Sequence, residues 1–337
     1  MSTDDDAIEL PESTVPAGLG ASVQGFINEE GARALGSVVL GWIHGLGRLI
    51  DLSTLDGVTI AIDYDAALAG LDRGLDGLRP LSRSNSEEMQ GVAMSPAVIR
   101  DGQVKTHLIF NAAMIAALAV EDAPEDEVQL AIGIIAHECA HVEITAQKEV
   151  AIPDARFGAR IEGYERTILF QLAEVCWDEY AACRISAPFA LNQNEHHAET
   201  VAGVVAVARD RSNAAIRSYR RHGDLDRLVG EAGPALCEPM KAVAYLLGGM
   251  DGANETWADQ SVARQALEAG GYGDLVDELH QALRALWETQ GQWDPTLDTF
   301  GPLLAIGKRV FEAGGIYFSS GPDSSARIDV PFTLDTI

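Results

Sequence analysis

Basic residues are in short supply: 24 Lys and Arg stand against 51 Asp and Glu, giving a net charge of −27 over 337 residues. Such a surface repels a phosphate backbone and an anionic bilayer, so neither nucleic acid nor membrane is an expected partner. Cysteine is scarce too. Cys139, Cys176, Cys183 and Cys237 are the only four, and none forms a CxxC pair. That excludes a disulfide framework or a structural zinc knuckle and reads as small buried thiols. No long uninterrupted apolar run is present either. The best stretch, Ala32 to Ile50, carries Arg33, His44 and Arg48 and is broken by Gly36, Gly41, Gly45 and Gly47. It reads as a buried amphipathic helix rather than a bilayer span. The opening residues, Met1 to Asp6, are acidic and polar, without a basic segment leading into an apolar one, so a cytoplasmic protein is expected. Internal repeats and low-complexity tracts are missing beyond the first 20 residues.

What is present is a chain that is 47% hydrophobic and long enough for a sizeable core. Residues 1–20, rich in Asp, Ser, Pro and Gly, read as a disordered leader, followed by a first domain over 21–190 and a helical C-terminal region over 191–337. A helix is expected over about 28–50, a strand over 58–64 and a helix near 65–76. Gly91–Ile99 and Val104–Ile109 then read as a hairpin turning at Asp101-Gly102. The next helix has a marked start: Asp122 as cap, Pro124 in the first turn, and Glu125, Asp126 and Glu127 at the positive end of the dipole. It runs to about Lys148, and a long helix follows over 158–187. Further helices are expected over 195–222, 234–249, 259–269, 272–290 and 301–313, with the last 25 residues irregular or in short strands.

The chemistry sits in the first of those long helices, in the string HECAH from His137 to His141. Four residues apart on a helix, the two imidazoles project from one face and can share a metal ion at about 2.0–2.1 Å. Glu138, beside them, is placed to take a proton from a metal-bound water whose pKa zinc lowers towards about 7, and to pass it to a leaving amine. A random chain of this composition contains such a string roughly one time in a hundred. Its placement among Ile134, Ile135 and Val142 in a capped helix separates it from chance.

A catalytic zinc site requires a third protein ligand and an open position. No third histidine follows closely, because the residues after His141 read VEITAQKEV. A carboxylate from the next helix is the natural source, and Glu174 and Glu179 both qualify. Glu179 has Val175, Cys176, Ala182 and Cys183 as its helical neighbours and projects from an apolar stripe, where a lone carboxylate is costly unless it is paired or ligates a cation. Glu174 shares its face with Gln171 and Asp178, a more solvated setting. In that arrangement Asp178 would orient a zinc-binding histidine. Burial favours Glu179.

HECAH followed by W-D-E-Y-A-A-C-R-I-S-A-P (Trp177 to Pro188) resembles the small gluzincin metallopeptidases, notably the ImmA/IrrE type. In these a helix of the pattern E-x-x-A-N-x-F-A-A follows the HExxH helix. The resemblance covers about residues 90–190. It implies a zincin-like fold, His137, His141 and Glu179 as zinc ligands, Glu138 as general base, and Ala182 at the small position. Cys183 departs from it, standing where Asn or Asp is usual.

His196 and His197 are candidates to reach a tetrahedral oxyanion, with Tyr180 and Tyr164 behind them. The strand Val104–Ile109 could pair with an extended substrate if it lies at a sheet edge. The reading as a whole is an α+β, predominantly helical zincin-like core with a small sheet, containing Zn2+ and hydrolysing a peptide or protein. The competing reading is a regulatory or binding protein that keeps the fold without the proteolysis.

Overall fold

The computed structural model describes residues 11–83, 85–320 and 326–337. The chain is α+β and predominantly helical, and it divides into two compact units, residues 1–83 with 92–146 and residues 84–91 with 147–337. The expected boundary near 190 falls inside the second unit.

The first unit is built on a five-stranded sheet. In chain order its elements are β1 (Ala21–Gln24), α1 (Glu29–Leu46), β2 (Leu55–Ala61), α2 (Tyr64–Gly70), β3 (Ala93–Met94), β4 (Ala97–Arg100), β5 (Gln103–Asn111), α3 (Ala112–Ile115) and most of α4 (Glu125–Ala151). β2 runs parallel to β1 on one side and to β5 on the other, while β3 and β4 pair antiparallel with the far side of β5. β2 is buried over Val58–Ala61 on both of its faces, as expected of a strand with parallel partners on both sides. The hairpin between β4 and β5 turns where Asp101 and Gly102 both take positive φ, 52° and 76°, the requirement for a tight turn that matches strand twist. β5 is therefore an internal strand. The edge role considered for Val104–Ile109 falls instead to β3 and β4, because β5 has partners on both sides.

Part of the expected leader is fixed in place. The Thr14 hydroxyl lies 3.0 Å from the Gly47 carbonyl and accepts the Leu52 N–H at 2.8 Å, tying the chain to the end of α1; residues 1–10 of the expected disordered leader lie outside the described residues. α1 starts as its sequence dictates, with the Asn28 side chain accepting the N–H groups of Glu30 and Gly31 and two acidic residues in the first turn.

The second unit is helical: α5 (Tyr164–Ser186), α6 (Gln193–His222), α7 (Leu225–Ala253), α8 (Ser261–Ala269), α9 (Gly273–Glu288) and α10 (Gly301–Ala313), closed by the hairpin β6 (Tyr317–Ser320) and β7 (Ala326–Asp329). α5 begins six residues later than the expected 158, because Gly158 and Gly163 adopt φ of 84° and 90°, outside any helix. α7 is longer than its expected span of 234–249. It passes through Pro234 and Pro239, each missing a helical N–H. The compensation is packing: α7 lies against both α5 and α6 and buries Leu236, Met240, Val243, Leu246 and Leu247. Gly248 and Gly252 permit the approach, since a Cβ at either would overlap a backbone carbonyl of α5, at Tyr180 and Arg184 respectively.

One buried carboxylate ties three helices of this unit together. Asp251 on α7, 3% exposed in its side chain, accepts from the Tyr180 hydroxyl on α5 at 2.6 Å, from His280 on α9 at 3.0 Å and from the Arg284 Nε at 2.9 Å. Burial alone would raise its pKa, but the hydrogen bonds from His280, Arg284 and Tyr180 outweigh it and hold the carboxyl well below the usual range. A depressed folded pKa contributes stability above the unfolded value of about 3.9 and loses it as pH falls below that towards the folded pKa. Urea unfolding at pH 7, 4 and 3 is expected to show this acid slope, and Asp251→Asn to flatten it while lowering stability at pH 7. Among the described residues no helix is long and apolar enough to cross a membrane.

Candidate metal centre

α4 places HECAH in its most buried stretch. Residues 131–136 are buried and so are Glu138, Cys139 and Ala140, while His137 and His141 are half-buried on the face they share. The two rings stand edge to face, with centroids 4.7 Å apart and Nε2 atoms 3.1 Å apart. Two ligands of a tetrahedral ion bonded at 2.0–2.1 Å would be separated by about 3.4 Å, so the convergence of these nitrogens suits one shared ion. A carboxylate oxygen of Glu179, a buried residue of α5, completes the group: ligand atoms of His137, His141 and Glu179 all lie within 4.8 Å of one another. The cluster can hold a metal ion.

Glu174 is engaged elsewhere. Its carboxylate receives Lys148 Nζ at 2.5 Å, and Asp178 lies 3.4 Å from the same ammonium. Burial opposes the charge on Lys148, but the Asp178 and Glu174 carboxylates outweigh it and raise its pKa, so it stays protonated. Asp178 Oδ1 has no hydrogen-bond partner, so the orienting role considered for that residue is not made in this structure.

Glu138 has a partner that sequence reading missed. The Ser95 hydroxyl, in the short break between β3 and β4, donates to Glu138 Oε2 at 2.5 Å and lies 3.0 Å from the Glu138 carbonyl oxygen. The only hint in sequence was Ser95-Pro96 interrupting a β-rich run, since the residue before proline is held extended and its side chain is turned by the break. Near the same carboxylate, burial first and the Glu138 charge second raise the pKa of the buried Tyr64 phenol, which stays neutral. Burial and Glu138 likewise raise the Cys139 thiol, which makes it a poor ligand beside two histidines.

No family model, curated protein or solved structure matches this chain significantly.

The remaining candidates divide. Tyr180 and Tyr164 are committed, donating to Asp251 at 2.6 Å and to Asp226 at 2.9 Å. His196 is exposed, whereas His197 packs its ring against Tyr245, centroids 5.5 Å apart. Tyr245 in turn lies 5.8 Å from the ammonium of Lys241, which sits 3.5 Å from Glu179 Oε1. Lys241 was not legible beforehand because it lies 62 residues beyond its partner on an unremarkable stretch of α7.

Proposed function

We propose that the chain is a zinc-dependent peptidase that hydrolyses a peptide or protein. The observation that carries this reading is the convergence of His137, His141 and Glu179 within 4.8 Å, next to a buried carboxylate on the same helix turn. The donor set fits the metal: two imidazoles and one carboxylate leave one tetrahedral position for water or substrate, the composition of a catalytic rather than a structural zinc site. Bound there, zinc supplies Lewis-acid activation of water and of the scissile carbonyl. The chain's own residues do the rest. Ser95 holds Glu138 Oε2, which fixes the carboxylate and leaves Oε1 to accept a proton from the attacking water. Glu138 then returns that proton from Oε1 to the leaving amine nitrogen.

We also place the protein in the cytoplasm, where a chain of net charge −27 stays soluble and where the thiols of Cys139, Cys176 and Cys183, all buried and outside any disulfide, stay reduced. Metal removal tests the function. Purified protein is expected to cleave members of a quenched-fluorescent peptide library, to lose that activity after treatment with 1,10-phenanthroline, and to regain it with one equivalent of zinc. Cleavage that persists in the zinc-depleted protein would overturn the proposal.

A further inference from the structure

We infer that Lys241 is a second electrophile of this centre, sharing Glu179 with the metal ion and presenting its ammonium to the carbonyl oxygen of the scissile peptide. The inference rests on the peptidase reading and names the group that stabilises the oxyanion.

Three lysines of the second unit lie beside carboxylates of α5, Lys308 at Glu165, Lys148 at Glu174 and Lys241 at Glu179, and the surroundings of the last two differ. Lys148 is sealed, with 8% of its side chain exposed and two carboxylates around it. Lys241 is 24% exposed and is paired with Glu179 at 3.5 Å. Its ammonium lies 5.8 Å from the centroid of the Tyr245 ring, which packs against His197. An ammonium has three donors and no acceptor, so one directed at Glu179 leaves two that can turn to an incoming oxygen. The charges favour such a group: a divalent ion and one ammonium against the carboxylates of Glu179 and Glu138 leave the site with one net positive charge, which suits an oxygen that becomes negative in the transition state.

The same placement has a cost for metal binding. An ammonium beside a ligand carboxylate repels a divalent cation on that carboxylate. Lys241 is thus expected to act with opposite signs on the two properties, weakening zinc affinity while accelerating hydrolysis. A lysine with a merely structural role, holding α5 and α7 in place, would lower both when removed or leave both unchanged.

Wild type, Lys241→Met and Lys241→Arg are to be compared by competition titration with zinc against a fluorescent chelator and by kinetics on the library peptide that wild type cleaves fastest. Lys241→Met is expected to bind zinc about tenfold or more tightly, and to lose about 10²-fold in kcat with KM changed only a few-fold. Lys241→Arg, which keeps the charge, is expected to restore most of both. Should Lys241→Met fail to fold, Lys241→Gln keeps a donor to Glu179 without the charge and must show the same two signs. Unchanged or weakened zinc affinity in the neutral variants, or unchanged kcat, overturns the inference while zinc-dependent cleavage by wild type leaves the peptidase reading standing. Absence of zinc from wild type itself would remove both.

Discussion

Glu138→Gln is expected to lower peptide hydrolysis by about 10²–10⁴-fold, the range for loss of a positioned general base, with zinc content unchanged. Gln has nearly the shape of Glu, and its carbonyl can accept the Ser95 hydrogen bond that Glu138 Oε2 accepts at 2.5 Å. The loss therefore reports the missing base rather than a displaced helix. Zinc stays because Glu138 is not among the converging donors, which are His137, His141 and Glu179. The pair of readouts also separates the two functional classes open to this chain. A binding or regulatory protein would be indifferent to the substitution, whereas an enzyme would keep its metal and lose its turnover. Steady-state kinetics beside elemental analysis of the same preparation decides between them.

The second large effect is a contrast between two glutamates on one helix. Glu179→Ala is expected to weaken zinc binding on the order of 10²–10³-fold, because roughly 10–16 kcal/mol of site affinity is shared among about four ligands. Glu174→Ala is expected to leave zinc bound and instead to destabilise the fold, since it removes the carboxylate 2.5 Å from the buried Lys148 ammonium. Asp178, at 3.4 Å, still compensates part of that charge, so the loss falls below the roughly 3–5 kcal/mol of a fully broken buried pair. Zinc stoichiometry and urea unfolding of the two variants should thus change in complementary ways. The opposite result, zinc lost with Glu174 and kept with Glu179, would transfer the ligand role.

Local signals in the sequence were informative where one residue type satisfies one local demand. Asn28 caps α1, and the Asp101-Gly102 turn supplies two positive φ angles where a hairpin requires them. HECAH lies on a helix whose buried side carries Ile134, Ile135 and Val142 around the motif. The burial of Glu179 was legible for a related reason: Cys176, Ala182 and Cys183 beside it belong to the buried face of α5. What could not be read are consequences of packing between distant segments. α7 continues through Pro234 and Pro239 because two flanking helices bury it, which no window around the prolines reveals. β5 is internal because β3 and β4 take the far side, and that same edge brings in Ser95, 43 residues before its partner Glu138. The occupation of Glu174 by Lys148 and the approach of Lys241 to Glu179 are likewise long-range charge pairings, without a short motif to announce them.

Zinc K-edge X-ray absorption on the purified wild-type protein reads out the coordination of the single ion on which the site depends. One zinc per chain is expected, bonded only to nitrogen and oxygen at about 2.0–2.1 Å, with the multiple-scattering pattern of two imidazoles that drops to one in His141→Ala. A shell containing sulfur at about 2.3 Å, or a protein that retains no zinc through purification, would contradict this coordination.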